Sequence, residues 1–385
     1  MSQSQYMKHS NIIPTKYYKL KDSVDMFLEE MDNVCIIQFY KINTRQSVYI
    51  ESSSNLIACI KELDGCKSLD EISEICNFSI GSIIKFIDFL NKKGLIIEST
   101  KDSINDERYI RQIAYFDDVD SKYNGKEAQE ILESKKVVIF GIGSVGSSIA
   151  IILARMGIMN FVFIDYKKVN KSHIIKHLYC NEKNLEFDKT QALKEYILKI
   201  NSKINIEIYN EKILPNTELK NLIPKDSNMV INTADEPYIG HTSMKIGRFC
   251  WANDIAFYVG GGFDAHSMST GEMIIPHITP CIDCYVASFR IALKDYKPKY
   301  IVKTIKQEKT QSDIIMGGNG SIAANSLFSA SFACMRIIDY FLEIKSNFTK
   351  RGEYLIDKGK IIWVTESKKQ ENCQICNGAK DINAK

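Results

Sequence analysis

A glycine-rich turn is the first feature of this chain whose residue types and spacing could do chemistry. Gly141, Gly143 and Gly146 lie in GxGxxG spacing, directly after the apolar run KKVVIF and before a stretch of helical periodicity. Asp165 ends the next apolar run. This arrangement brings a backbone close to phosphates at a helix N-terminus and an acid close to a ribose hydroxyl. The pattern predicts a nucleotide site without separating NAD from ATP, and a tight turn with no ligand is the alternative.

Two CxxC pairs are the second candidate site. Cys281 with Cys284, and Cys373 with Cys376, each present two thiols within one turn, and together they match the ligand set of a closed, structural zinc site. The pairs are far apart in the sequence, so the fold must bring them together, and zinc would then fasten the C-terminal tail. A redox CxxC is the alternative, but nothing in the chain looks like a thioredoxin unit. The remaining cysteines lie mostly in apolar stretches typical of core residues.

The elements that must hold these residues alternate between strand and helix from residue 108 to about residue 365. The predicted strands are 135–140, 160–165, 204–210, 229–235 and 255–263. The predicted helices are 144–156, 189–201 and 241–254. This alternation predicts an α/β, Rossmann-like fold in residues 108–385, with a mostly parallel sheet covered on both faces.

Residues 1–98 predict a smaller, separate domain. Strands are expected at 34–42, 46–52 and 95–99, and helices at 55–63, 69–76 and 82–93. Ser68 with Glu71 has the signature of a capping box, and Gly94 stands where a helix end needs a left-handed residue. This order is typical of a winged helix-turn-helix, followed by a polar linker at 99–107. The third helix has few cations, which favours a peptide-binding or purely structural winged helix over one that binds nucleic acid.

Composition and charge exclude several classes of protein. The chain has 385 residues, of which 45% are hydrophobic and 25% charged, which excludes a disordered or low-complexity protein. A net charge of +3 gives no indication of a nucleic-acid or membrane-surface partner. No apolar run of about 20 residues occurs, so no membrane helix is expected. Eleven cysteines without a secretory signal indicate a cytoplasmic protein with reduced thiols.

With these motifs together, the chain resembles the ubiquitin-activating-enzyme superfamily in its bacterial ThiF/MoeB branch. The resemblance covers residues 106–378 and rests on several motifs in the family's order. They are Arg108-Tyr109-Ile110-Arg111-Gln112 (RYxRQ), GIGSVG (the ATP loop), FIDYKKV with Asp165, FDKTQA with Lys189, NTADEP with Asp235, and the two CxxC pairs.

The resemblance implies ATP chemistry: a carboxylate attacks the α-phosphorus and expels pyrophosphate, a reaction that needs positioning and cationic neutralisation. It also implies roles for individual residues. The glycine turn with Ser144 would cradle the phosphates, Asp165 would hold the ribose, and Lys189 would stabilise charge on the α-phosphate. Asp235 would hold Mg²⁺, and Arg111 would reach across a homodimer interface.

The small domain in front of this unit resembles the precursor-recognition domain of enzymes that modify ribosomal peptides. The same order occurs in MccB-like enzymes of microcin C biosynthesis. The resemblance therefore implies ATP- and Mg²⁺-dependent adenylation of the C-terminal carboxylate of a ribosomally made precursor peptide.

Two departures from the family pattern lie in the nucleotide site. His173 and Lys176 stand where the family's NLxRQ segment has Asn and Arg, and lysine keeps the charge but loses the bidentate fork. Ser144 stands where many members have glycine. These departures leave open a second reading, in which a non-adenylating ThiF-like protein binds the precursor and presents it to a YcaO-type cyclodehydratase.

A third reading is activation of a sulfur carrier or ubiquitin-like protein through a thioester. No cysteine lies between Tyr285 and Phe332, where many such enzymes place the nucleophile, and Cys180 is the other candidate near the site. We expect no thioester relay. An NAD-dependent oxidoreductase would explain neither the RYxRQ motif nor the cysteine pairs. The lysine-rich stretch 293–313 is expected to be a crossover loop with a solvated face.

Overall fold

The computed structural model describes residues 13–31, 34–52, 54–99, 107–119, 122–235, 239–260, 268–292 and 322–376. The described residues form two compact units. The first runs from Ile13 to Glu130 and includes Leu342–Ile344, and the second runs from Ile131 to Phe341 and continues from Lys345.

The first unit contains two three-stranded antiparallel sheets in its described part. Its strands are β1 (Tyr17–Leu20), β2 (Val24–Met31), β3 (Val34–Lys41), β4 (Gln46–Ser52), β5 (Asp64–Ser68) and β6 (Ile96–Ser99). One sheet has the order β2–β3–β4 and the other β5–β1–β6. Its helices are α1 (Ser54–Lys61), α2 (Leu69–Cys76), α3 (Ile80–Lys92) and α4 (Ile110–Asp118). The core joins β3 to the helices, with Ile37, Phe39, Leu69 and Ile87 almost fully buried.

The predicted helix ends in this unit are confirmed. The Glu71 N–H donates to Ser68 Oγ at 3.3 Å, and the Ser68 N–H donates to the Glu71 carboxylate at 2.7 Å. Helix α3 ends at Lys92, and Gly94 has φ +64°, the left-handed conformation that glycine adopts without strain. The winged helix-turn-helix classification stays a prediction, as does the domain boundary. Most of the predicted 99–107 linker lies outside the described residues.

The second unit is built on a six-stranded, mostly parallel sheet, which confirms the predicted α/β class. Its strands are β7 (Lys136–Phe140), β8 (Asn160–Ile164), β9 (Asn205–Tyr209), β10 (Met229–Asn232), β11 (Ala256–Val259) and β13 (Glu272–Ile274). The order is β13–β11–β10–β7–β8–β9, and β13 runs antiparallel to the rest. The central strands β7, β8, β10 and β11 are apolar and mostly buried, because helices cover both faces of a parallel sheet.

The connecting helices lie in the second unit after α5 (Gly125–Ser134), which contains the point where the two units divide. They are α6 (Ser144–Arg155), α7 (Lys189–Ile200), α8 (Ile239–Ala252), α9 (Ile282–Ala292) and α10 (Ala323–Phe341). A small antiparallel sheet is formed by β12 (Met268–Ser269), β14 (Lys350–Leu355) and β15 (Lys360–Glu366). Within the described part of the chain, no helix is long and apolar enough to cross a membrane.

Two buried arginines fasten the small sheet to its surroundings. Arg351 is 1% exposed, and its Nε lies 2.8 Å from Oε1 of the buried Glu272. Arg336, on α10, donates to the carbonyl oxygens of Gly271 at 3.2 Å and Phe348 at 3.0 Å. Buried charges are tolerated when they are paired and hydrogen-bonded in this way. The sequence pattern did not predict this network.

Candidate functional site

The glycine turn joins the end of β7 to the start of α6, at the carboxyl edge of the parallel sheet. Gly141 has φ +86°, and a Cβ there would lie 2.6 Å from the amide nitrogen of Ala234. A Cβ at Gly146 would lie 2.1 Å from the carbonyl oxygen of Gly141, so both positions require glycine. A Cβ at Gly143 would meet none of the described atoms within 4 Å. The N-cap residue Gly143 has no side chain to cap the first turn of α6, so within the described part of the chain the N–H groups there stay available to an anion.

Asp165, just after β8, fixes the shape of this turn. Its Oδ2 accepts the Ile142 N–H at 2.7 Å, and its Oδ1 accepts the Lys167 N–H at 2.8 Å. From the other side, Thr233 Oγ1 donates to the Gly141 carbonyl at 2.6 Å. The structure therefore brings the predicted glycines and the predicted acid together. Sequence reasoning missed Thr233, whose contact arises only when β7 and β10 are neighbours in the sheet.

Lys189, the first residue of α7, is a nearly buried cation in this site. It is 4% exposed, and within the described residues its ammonium group has no hydrogen-bond or ion-pair partner. Burial lowers the pKa of Lys189, while the negative charges of Asp165 and Asp235 act in the opposite direction. A cation that loses most of its water on burial is costly, so this position suits a bound anion that replaces the lost water.

The segment carrying His173 and Lys176 lies against the same site. The rings of His173 and His177 stack with centroids 4.6 Å apart and planes at 10°. Burial, reinforced by the charges of Lys189 and Lys176, lowers the pKa of His173 to about 4. Burial and Lys189 lower the pKa of His177 to about 3. Both rings are therefore neutral at pH 7, and the positive charge here comes from the lysines.

The tautomer of His173 follows from one hydrogen bond. The Asn170 N–H donates to His173 Nδ1 at 3.0 Å, so in the neutral ring Nε2 carries the proton and is the donor. Asparagine, which the family has here, also offers one side-chain donor group. His177 is 4% exposed, and its Nδ1 has no hydrogen-bond partner among the residues that the structure describes.

Two other residues predicted to act on the nucleotide, Asp235 and Arg111, are exposed. Asp235 is exposed and follows β10, close enough to Lys189 to influence its charge. Arg111 is exposed on α4 of the first unit. In the same motif, Gln112 Nε2 donates to Gln129 Oε1 at 2.6 Å. The predicted roles of Arg111 across a dimer and of Asp235 with Mg²⁺ stay predictions.

The four predicted zinc ligands converge. Their sulfur atoms all lie within 4.8 Å of one another, with 3.5 Å between Cys281 and Cys373 and 3.7 Å between Cys284 and Cys376. Tetrahedral zinc with Zn–S bonds of about 2.3 Å needs sulfurs about 3.8 Å apart. The Gln370 N–H also donates to Cys284 Sγ at 3.3 Å, as backbone amides do around metal-bound thiolates. The cluster fits a structural zinc ion that fastens the C-terminal segment.

Cys180 does not have the surroundings of a nucleophile. It is 7% exposed, and burial raises its pKa to about 11. A thiol of this kind is almost wholly protonated near neutral pH and reacts slowly. The predicted crossover loop at 293–313 lies outside the described residues.

The profile of the ThiF family matches residues 109–311, more than half of the chain. The chain belongs to the ThiF family. Among curated relatives, the molybdopterin-synthase adenylyltransferase of Haemophilus influenzae is 32% identical over 98 residues, covering 26% of this chain and 40% of the relative. The chain thus spans less than half of the length of the curated ThiF relatives it matches.

Solved structures of ThiF relatives match over a longer range. The structure of E. coli MccB with AMPCPP and MccA covers 93% of this chain and 99% of MccB, with a TM-score of 0.66 and 19% identity. The structure of the microcin C7 biosynthetic enzyme MccB with N-formylated MccA has a TM-score of 0.67, at the same coverage and identity. At this low identity the likeness establishes the fold alone. The matched residues include parts of both units.

Proposed function

We propose that this ThiF protein is an ATP- and Mg²⁺-dependent adenylyltransferase that activates the C-terminal carboxylate of a ribosomally made precursor peptide, in the biosynthesis of a microcin C-like antibiotic. The observation that carries the proposal is Lys189, a cation that is only 4% exposed and lies within the fields of Asp165 and Asp235. It lies near Asp165, whose carboxylate holds the glycine turn. A triphosphate would supply the negative charge that this arrangement lacks.

The charges around the turn favour phosphate chemistry over hydride transfer. Lys189, Lys176 and Lys167 all act to lower the pKa of His173, so their fields overlap at one place. The uncapped start of α6 adds N–H donors there. A dinucleotide site of an oxidoreductase needs no such concentration of lysines. Triphosphate binding does need it, because each phosphate oxygen brings negative charge out of water.

The reaction would proceed by in-line displacement. A carboxylate oxygen of the peptide bonds to the α-phosphorus, the bond to the bridging oxygen breaks, and pyrophosphate leaves with that electron pair. Lys189 would neutralise charge on the α-phosphate, and Asp165 would orient the ribose. Asp235 would hold Mg²⁺, which offsets the charge of the leaving group. Arg111 of a second copy would complete the site in a homodimer.

The peptide substrate is supported by the extent of the structural likeness. MccB was solved with MccA bound, and the match covers 93% of this chain, including the unit in front of the nucleotide site. We assign peptide recognition to that first unit and a structural role to zinc in the second. The proposed setting is cytoplasmic.

A pyrophosphate-release assay tests the proposal directly. Short peptides encoded beside the gene would be supplied with ATP and Mg²⁺, with MccA as a surrogate, and the peptide product analysed by mass spectrometry. We expect pyrophosphate and a peptide-AMP adduct from the wild type and neither from Lys189→Met. Tight peptide binding without pyrophosphate or adduct would reject adenylation.

That negative outcome would favour the second candidate, a scaffold that presents the precursor to a YcaO-type enzyme. His173 and Lys176, which depart from the family's Asn and Arg, are the observation in its favour. Sulfur-carrier activation is the third candidate, supported by the molybdopterin-synthase relative. Trapping a thiol-sensitive conjugate on Cys180 would overturn our expectation that no thioester forms.

A further inference from the structure

The hydroxyl of Ser144 connects the two places where the nucleotide site departs from the family pattern. Ser144 is the first residue of α6, and its Oγ donates to the carbonyl oxygen of Lys176 at 2.9 Å. A glycine at this position has no group to make that bond. Because a hydroxyl has one proton to donate, Ser144 Oγ in this state does not donate to a phosphate. Its side chain acts on the neighbouring segment, while its backbone N–H stays at the start of the helix.

A second bond fastens the same segment. The Tyr179 hydroxyl, in a side chain that is 1% exposed, donates to the Ile142 carbonyl at 2.9 Å. The Tyr179 carbonyl in turn accepts the Asn184 side-chain amide at 2.8 Å. The segment that carries Lys176 is thus bound to the glycine turn on both sides of the stacked His177. Its backbone has little freedom to move away from the turn.

We propose that Ser144 is a positioning residue that holds the Lys176 backbone against the glycine turn, so that the Lys176 ammonium binds the phosphate chain of ATP. The inference rests on the proposed function and adds a residue to it. A lysine makes a point contact on a flexible stem, whereas arginine offers a preorganised fork. Fixing the backbone under the lysine lowers the entropy lost when its ammonium meets a phosphate. The bond from Ser144 therefore compensates for the guanidinium fork of arginine, which this chain lacks because it has Lys176 at that position.

The test is a double-mutant cycle on the full-length protein, read by calorimetric binding of ATP, inorganic tripolyphosphate and adenosine. Ser144→Ala should weaken ATP and tripolyphosphate roughly five- to tenfold when Lys176 is present. In a protein that already carries Lys176→Met, Ser144→Ala should change the affinities for ATP and tripolyphosphate by less than about twofold. Adenosine affinity should not change, since adenosine carries no phosphate. Ser144→Thr keeps the hydroxyl and should restore affinity to within about twofold of the wild type.

Ser134→Ala is the matched control, because it also removes a hydroxyl bonded to a backbone carbonyl, that of Ile131, but on another helix. It should leave all three affinities unchanged. Additive losses from Ser144→Ala and Lys176→Met, or an equal loss of adenosine binding, would overturn the positioning role while adenylation stands. A wild type that binds neither ATP nor tripolyphosphate would reject the proposed function and this inference together.

Discussion

The position of Lys189 favours anion binding but lowers the free energy of unfolding of the free protein. Its side chain is only 4% exposed, so the free protein bears part of the cost of removing the ammonium from water. Lys189→Met keeps the length of the side chain and removes the charge. We expect equal or higher resistance to urea unfolding, together with a loss of at least about 100-fold in pyrophosphate release.

Lys199→Met controls for the substitution itself, because Lys199 is exposed in the last turn of the same helix. It should leave both measurements close to the wild type. Pyrophosphate release at the wild-type rate by Lys189→Met would contradict the assigned role.

His177 makes the stability of the second unit depend on pH. Burial lowers its folded-state pKa to about 3, whereas an unfolded histidine has a pKa near 6.5. As the pH falls below 6.5, the unfolded chain binds a proton that the folded site excludes, and stability is lost. Between about pH 7.5 and about pH 5.5 this costs about 1.4 kcal/mol. In urea unfolding over the same pH interval, the free energy of unfolding of His177→Gln should fall by that much less than the free energy of unfolding of the wild type. Identical pH slopes for the two proteins would show that His177 is not the group responsible.

A zinc ion held by the four cysteines would fasten two elements, α9 and the segment after β15. Structural zinc in a four-thiolate site contributes on the order of 10 kcal/mol to the folded arrangement. We expect one zinc per chain by elemental analysis. Cys373→Ser should lose the metal and increase proteolysis of residues 368–376, where the wild type resists cleavage. Cys66→Ser, which changes an exposed cysteine outside the cluster, should keep both properties. Full zinc content in Cys373→Ser would contradict the assignment.

The elements that the sequence predicted well are those whose pattern has a local cause. The central strands β7, β8, β10 and β11 are continuous apolar runs because both sheet faces are buried. The capping box at Ser68 and the left-handed Gly94 depend on their own backbone. In contrast, β5 has the sequence DGCKS, which looks like a turn, and it becomes a strand only by pairing with β1. The buried Arg351 in β14 was missed for the same reason, since its partner Glu272 is distant in the sequence.

The features of the candidate site also fall into those with a local sequence cause and those that depend on the folded sheet. The meeting of the turn glycines with Asp165, and of the four cysteines with one another, could be predicted because each set belongs to a motif of fixed spacing. Lys189 was placed by the family resemblance, and the roles of all these residues stay predictions. The bonds from Thr233, Ser144 and Tyr179 could not, because each joins segments that only the folded sheet brings together. The neutral state of His173 likewise depends on burial and on lysines from several segments.

In the proposed homodimer, each active site would contain residues of both copies. Lys189 belongs to the second unit, and Arg111 is exposed on the first. If Arg111 acts on the partner's nucleotide, then Arg111→Ala and Lys189→Met each inactivate every site of their own homodimer. A mixed dimer keeps one intact site, with Arg111 from the Lys189→Met copy and Lys189 from the Arg111→Ala copy.

Mixing equal amounts of the two variants, with unfolding and refolding or co-expression to exchange subunits, should therefore restore pyrophosphate release to about a quarter of the wild-type rate. Half of the dimers are then mixed, and each of those has one working site of two. Mixing Arg111→Ala with the double variant Arg111→Ala/Lys189→Met supplies no arginine and should stay inactive. If Arg111 served the site of its own chain, the first mixture would stay inactive as well, because neither copy would then hold both residues. The restored rate thus separates an arginine contributed by a second copy from one contributed within the same chain.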